Sequence, residues 1–488
     1  MADPADPPQG DSTPAAPDDH GAAAPGAAAG PSAPVDPAAL LVSRGFLVLL
    51  VIAAVVGVLV SLAAWCFVEL IYQIQREVFT HLPSALGYHN GPPKWWYLPV
   101  LAIAGVVAAF AIARLPGDGG HIPAEGLKVG GGPPQPAIVP GVVLAGLASI
   151  GLGLVIGPEA PLIALGAGLA VLTVRLARKD APDQLVVVVA AAGSFAALAF
   201  VFSSPIIAAI ILIEATGLGG ARLPLVLVPG LVGAGIGSLV SIGMGSFTGL
   251  SSSAYALGSL PLPSFDRPTI GNFGWSILLA LVIAGVAHLI MAGGLRVQPV
   301  VKPLLFVWLP ICGLVVAGLA IAFSQITGKG VDEVLFSGQS ALPGLVSGAG
   351  TWSIAALVWL IVFKGIGYAI SLGSFRGGPT FPAIFLGAAG GILASRLPGF
   401  PVTAAVAVGM GAATVSILRL PLSAIVIASL LTSKSGAAAE PLVIVGVAVA
   451  YVVTLRLSKR SAAASDGPSE ASASATPPSG TAAPASTG

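Results

Sequence analysis

From position 46 to 457 the chain is a succession of apolar runs separated by short polar or Gly/Pro-rich breaks. The first, Phe46 to Val68, is long enough to cross a hydrocarbon core of about 30 Å. Others cover residues 96–113, 137–156, 160–177, 184–201, 205–216, 223–245, 273–294, 303–324, 352–373, 380–395, 402–416, 420–432 and 440–457. Several are shorter than the roughly 17 residues that a full span requires. A helix that stops inside a bilayer needs protein or a water-filled cavity around its open end, because lipid cannot satisfy its backbone groups. The pattern therefore predicts an all-α polytopic membrane protein with many short, broken and tilted helices.

The flanks lack this pattern. Residues 1–40 are mainly Ala, Pro, Gly and Asp, and 461–488 mainly Ser, Ala, Pro and Thr, so both read as disordered tails. No basic region followed directly by an apolar run and a cleavage site opens the chain, so a secretory signal is not expected. Between the tails lies one transmembrane domain, 41–460, with halves of about 41–245 and 273–460, and the Ser/Gly/Pro-rich stretch 246–272 reads as an exposed linker. Arg175, Arg178 and Lys179 form one basic cluster and Arg456, Lys459 and Arg460 another. The positive-inside rule puts both in the cytoplasm, and the plasma (inner) membrane is the expected location.

Composition agrees and narrows the function. Apolar residues make up 56% of the 488 residues, charged residues 8%, and the mean hydropathy is +0.96. Soluble domains carry about 25% charge, so no water-soluble surface can be built here. The 64 Gly and 42 Pro account for the broken helices. A net charge of +1 offers no basic field for nucleic acid. Cys66 and Cys312 sit inside apolar runs as packing residues, without disulfide or metal-ligand spacing. The five histidines, His20, His81, His89, His121 and His288, are scattered and no HExxH occurs. An enzyme needs clustered acids, bases or nucleophiles; no catalytic residue, metal or cofactor is expected.

A duplication is the most informative feature. Gly157 to Gly166 reads GPEAPLIALG and Gly378 to Gly387 reads GPTFPAIFLG, 221 residues later; Ser204 to Ile213, SPIIAAIILI, pairs with Leu420 to Ser429, LPLSAIVIAS, 216 residues later. Two repeats in the same order point to duplicated halves around a pseudo-two-fold axis, the plan of many transporters and channels. A Gly-Pro entry turns the backbone abruptly into a helix whose first N–H groups have no partners. Those groups and the helix dipole form an anion site. A small ion can be held by amides and a hydroxyl without a full positive charge that would trap it. A sodium-coupled solute transporter would present polar or aromatic groups at the breaks, whereas these hold Gly, Pro, Thr380 and one Glu.

That carboxylate, Glu159, is the only charge between Lys128 and Arg175. At membrane depth an isolated charge is a functional candidate. In the first turn of its helix it can fill the anion site when ionised and leave when protonated, acting as gate and proton acceptor; otherwise it merely caps the helix. Glu214, the only charge between Asp183 and Arg222, is a candidate for an internal proton route or for a structural role.

Over roughly Phe46 to Leu457 these residues resemble the CLC family of chloride channels and anion–proton exchangers, as a divergent bacterial-type member. The family's GSGIP motif resembles Gly119, Gly120, His121, Ile122 and Pro123. GREGP resembles Gly157, Pro158, Glu159, Ala160 and Pro161, and GGIFAP resembles Gly377, Gly378, Pro379, Thr380, Phe381 and Pro382. The resemblance implies a CLC-like fold of two inverted repeats and a homodimer whose subunits each hold a pore. It further implies Glu159 as external gate and an anion site at Gly119, Gly120, His121, Ile122, Gly157, Ala160, Gly378, Thr380 and Phe381. The transported ligand would be chloride or a similar anion, with protons as candidate co-substrate and a fluoride-selective relative as the alternative. His121 either serves the pathway or makes an ordinary hydrogen bond. Departures are clear as well: Gly120 replaces the family's Ser, and Pro158 and Pro379 lack an N–H. The exchangers' internal Glu falls on Ala215, and neither the central Tyr nor a CBS pair has a counterpart. Anion binding is therefore expected to be weaker, wetter or differently selective.

Overall fold

The structure, a computed structural model, describes residues 41–126, 135–217, 220, 223–248 and 258–465. The tail expected at 1–40 lies outside them, as do residues 466–488 of the tail expected at 461–488. Among the described residues every regular element is helical. Eight helical stretches are long and apolar enough to cross a membrane, and five apolar helices are shorter.

The first half contains α1 (Arg44–Arg76), α2 (Tyr97–Arg114), α3 (Val139–Gly151), α4 (Glu159–Ala177), α5 (Asp183–Phe202), α6 (Pro205–Thr216) and α7 (Leu223–Thr248). The second contains α8 (Ile270–Val301), α9 (Leu305–Thr327), α10 (Leu342–Ser347), α11 (Ile354–Ser374), α12 (Thr380–Ala394), α13 (Val402–Leu418), α14 (Pro421–Leu431) and α15 (Glu440–Ser465). Polar caps set several starts. Ser43 Oγ accepts from Phe46 N–H, Ser204 Oγ from Ile207 N–H and Ser353 Oγ from Ala356 N–H, while Thr269 and Asn272 form a reciprocal capping box.

Burial sorts the helices into inner and outer sets. In α13 every residue from Thr403 to Leu418 is buried, and α12 is nearly so. Outer helices α1, α8 and α9 expose Leu47, Val51, Leu289 and Phe306, the all-round apolar character of helices that face lipid.

The duplication recurs in three dimensions. Helices α4 and α5 cross so closely at Gly166 and Gly193 that a Cβ on Gly193 would come within 2.3 Å of the Gly166 carbonyl oxygen. Helices α12 and α13 repeat this at Gly387 and Gly409, where the distance would be 2.2 Å. Ser203 and Arg419, equivalent residues before Ser204-Pro205 and Leu420-Pro421, both adopt left-handed backbone, with φ of 47° and 60°. The halves also bond to each other at equivalent places. Val155 N–H donates to Ser371 Oγ at 3.2 Å, and Arg376 N–H, its counterpart, to Ser149 Oγ at 3.5 Å.

Two expectations change. Residues 258–269 are not simply an exposed linker: Leu260 and Phe265 are buried, and their N–H groups donate to the carbonyls of Leu431 and Ser435. Helix α15 continues through Ser465, past the expected start of the tail at 461, because Ala462, Ala463 and Ala464 are strong helix formers.

Candidate functional site

Pro158 and Pro379 cap α4 and α12 with almost the same backbone angles, φ −86°, ψ −7° and φ −89°, ψ −7°. Just before them Gly157 and Gly378 pair as an antiparallel bridge, Gly157 N–H to the Gly378 carbonyl at 2.7 Å and Gly378 N–H to the Gly157 carbonyl at 2.5 Å. A residue that exchanges both bonds with its own counterpart marks a local two-fold axis. Both helix starts therefore open at one place.

Glu159, 1% exposed, reaches across this axis. Its Oε1 accepts from Thr380 N–H at 2.5 Å and from Phe381 N–H at 3.3 Å, the first free donors of α12. Oε2 has no hydrogen-bond partner among the described residues. The carboxylate rests on the two bridging glycines. A Cβ on Gly157 would meet Oε2 at 2.1 Å, and one on Gly378 would meet Cδ at 2.2 Å. Phe381 stacks on Phe202 with centroids 5.2 Å apart, and Tyr368 on α11, fully buried, donates its hydroxyl to the Pro379 carbonyl.

The structure thus brings together Gly157, Glu159, Gly378, Thr380 and Phe381. Ala160, half-buried, shares the first turn of α4 with Glu159. Gly119, Gly120, His121 and Ile122 form a separate turn. Gly119 and Gly120 have φ of 68° and 100°, which favours glycine, and the turn packs beside Ala145 and Val142 of α3. A single 3-10 turn, Pro123–Glu125, follows it, and residues 127–134 lie outside the described set. His121 Nε2 lies 2.5 Å from the Gly126 carbonyl oxygen, within hydrogen-bond reach. Glu214 lies elsewhere: its carboxylate accepts from Leu422 N–H at 2.9 Å, Ser423 N–H at 2.8 Å and the Ser423 hydroxyl at 2.7 Å. It thereby caps α14 in the other half.

Tyr368 and two buried cations were absent from the sequence-based site. Lys364, 0% exposed, directs Nζ at four successive carbonyls, Glu333 at 3.0 Å, Val334 at 3.1 Å, Leu335 at 3.0 Å and Phe336 at 3.3 Å. It also stands 4.5 Å from the ring centroid of Phe385 on α12. Arg376, 7% exposed, lies just ahead of the Gly378 bridge. Between Glu333 and Arg396 these are the only charges, so the isolation rule that singled out Glu159 applies equally to them.

A bundle of buried half-length helices whose starts face each other across a two-fold axis, with a carboxylate bound to amides there, defines a membrane transport protein for small anions. The sequence profile described as voltage gated chloride channel matches residues 100–455, and the chain belongs to that family. It is an integral multi-pass membrane protein for CLC-type anion transport, and members of the family are channels or transporters rather than enzymes. YfeO of Escherichia coli strain E24377A is 27% identical over 368 residues, covering 74% of this chain and 82% of YfeO. YfeO of Shigella boydii strain Sb227 matches equally. A slow cyanobacterial Cl-/H+ antiporter superposes with a TM-score of 0.69 at 20% identity, over 85% of this chain and 98% of its own. A CLC-type fluoride/proton antiporter gives 0.62 at 17%, over 85% and 97%. These likenesses establish the fold.

Proposed function

We propose that this protein carries small inorganic anions, chloride foremost, along a path gated by Glu159. The observation that supports this most directly is the seat of its carboxylate on the Thr380 and Phe381 N–H groups. There the start of α12 binds an anion, and the anion is the protein's own side chain. An ionised carboxylate fills the place an arriving ion would take. Protonation removes its charge, weakens its hold on the amides and the dipole, and frees the seat. A side chain that leaves carrying a proton also gives a physical means of coupling proton movement to anion movement. Of the two roles open to Glu214, its three bonds to the start of α14 favour the structural one.

Fluoride is the second reading, favoured by Gly120 in place of the family's Ser and by the likeness to a fluoride/proton antiporter. The assembly we infer is a homodimer in the plasma (inner) membrane, joined through α6, α7, α14 and α15, which expose Ile206, Leu239, Leu422 and Ile444.

Anion efflux from proteoliposomes, with proton movement recorded simultaneously, tests this. The native protein should release chloride or fluoride and carry neither amino acids nor sugars. Glu159→Gln should retain or increase anion flux while losing its pH dependence and any coupled proton movement. Cation-only flux would overturn the assignment; unchanged pH dependence would reduce Glu159 to a helix cap.

A further inference from the structure

We propose that Arg376 is an anion-coordinating residue of the pathway, whose free guanidinium edge supplies the donor that Gly120 cannot. This rests on the anion-transport reading and adds a second binding station to it. Arg376 stands in the short connection from α11 to α12, and its place is fixed from both halves of the molecule. Its main-chain N–H donates to Ser149 Oγ at 3.5 Å, Nε to the Asp118 carbonyl at 3.0 Å and Nη1 to the Phe375 carbonyl at 3.3 Å. Its Cγ would be 3.4 Å from a Cβ on Gly119. The head group therefore adjoins the Gly119–Gly120 turn, while the main chain of the same residue leads into the Gly378 bridge.

A guanidinium carries five N–H donors. The side chain uses Nε and Nη1 in the bonds above, and Nη2 has no hydrogen-bond partner among the described residues. The residue as a whole is only 7% exposed. No carboxylate among the described residues pairs with it as a salt bridge; Asp118 and Glu125 are the acids whose charge reaches it. A cation withdrawn from water without an ion-pair partner is left incomplete, and a small anion at the turn would complete it by a charge-assisted hydrogen bond. The two carbonyls hold the fork in one orientation, so the donor is in place before the ion arrives. They and the two nearby acids also temper the positive charge, which lets an ion leave again.

The Glu159 carboxylate bonds to Thr380 and Phe381, not to Arg376. The two groups would act through different donors, so their losses have different signatures. Initial flux measured against chloride concentration, for native protein, Arg376→Gln and Arg376→Lys, separates them. Arg376→Gln should raise the half-saturating chloride about tenfold, and Arg376→Lys, which keeps charge but not the fork, about threefold. The pH dependence conferred by Glu159 should persist in both.

If Arg376→Gln transports with native half-saturation and native chloride-to-fluoride preference, the proposal fails, even where its maximal rate is low, since a structural role alone lowers rate. If the native protein carries no anion, the transport reading fails instead. Should the variants not fold, phenylglyoxal labelling of the native protein, followed by peptide mass mapping, decides the matter. Chloride should slow modification of Arg376 relative to gluconate. Equal rates, or no modification of Arg376 in either salt, would overturn the proposal.

Discussion

Glu159 Oε1 accepts a hydrogen bond from Thr380 N–H at 2.5 Å, and Thr380 is the residue that occupies Glu159's own position in the second half of the duplication. One repeat contributes the carboxylate and the other contributes the amide it binds. If Glu159 gates the path as proposed, substitutions that crowd this contact should change its gating as well as overall stability.

At Gly378 an added Cβ would lie 2.2 Å from Glu159 Cδ and 2.2 Å from Oε2. Gly378→Ala is therefore expected to push the carboxylate off its seat and to raise chloride flux at neutral pH towards that of Glu159→Gln. In the double variant Gly378→Ala adds nothing further. Flux assays at two pH values check both statements, and additive effects would show that Gly378 acts elsewhere.

Lys364→Met should be among the most destabilising single changes in the membrane domain. It strips four carbonyls, those of residues 333–336, of the ammonium they share. Leaving buried acceptors unsatisfied costs about 1–3 kcal/mol each, so a total of at least about 3 kcal/mol is expected. Thermal unfolding in detergent, followed by tryptophan fluorescence, measures it; a native melting temperature would contradict the clamp.

Glu214→Ala removes three bonds from the start of α14 and should cost about 1–2 kcal/mol, the usual range for a lost cap. Half-saturating chloride and proton movement should stay native. A selective loss of proton movement in a stable variant would return Glu214 to the proton route.

The loop acid Glu333 supplies a pH test. Burial, reinforced by the neighbouring Asp332 carboxylate, pushes its carboxyl above the usual range against the pull of Lys364 and Lys329. A raised folded-state value means that its stabilising contribution is present at low pH and is lost as pH climbs through that value. Glu333→Gln should therefore raise the melting temperature at pH 8 and leave it nearly unchanged at pH 4, in a pair of thermal scans.

The duplicated crossings predict matched costs. Gly193→Ala and Gly409→Ala each drive a methyl group against a backbone carbonyl, at 2.3 Å and 2.2 Å, and overpacking of this kind costs about 1–3 kcal/mol. The monodisperse fraction on size exclusion should fall by similar amounts in both variants. A large loss in one alone would mean that the halves are not equivalent there.

Much of this was legible because membrane helices are punctuated by residues with distinctive backbone chemistry. Gly157-Pro158 and Gly378-Pro379 announced two helix starts, and the isolation of Glu159 singled out a candidate functional acid. That Glu159 meets the Thr380 and Phe381 N–H groups was legible only through the family resemblance, since a main-chain N–H has no letter of its own and Thr380 is brought near by the crossing of the halves. Lys364 and Arg376 carried the same signal as Glu159, yet each sits in or beside a long apolar run that reads first as a span. Gly119 to Pro123 has the letters of a family motif, and one 3-10 turn, Pro123–Glu125, follows it among the described residues. The stretch 258–269 looked exposed because Ser, Gly and Pro dominate its neighbourhood, while its two anchors, Leu260 and Phe265, are single residues without periodicity.

The Gly157–Gly378 bridge places a mirror-like choice at the centre of the molecule, and the duplication has settled it unequally. Were position 380 an acid as well, two like charges would contend for facing helix starts, and a route through them would read more nearly the same from either end. With a carboxylate on one side of the axis and a hydroxyl on the other, the two approaches differ chemically although the scaffold around them is paired. A nearly symmetric framework thereby acquires a front and a back from unmatched side chains at its centre.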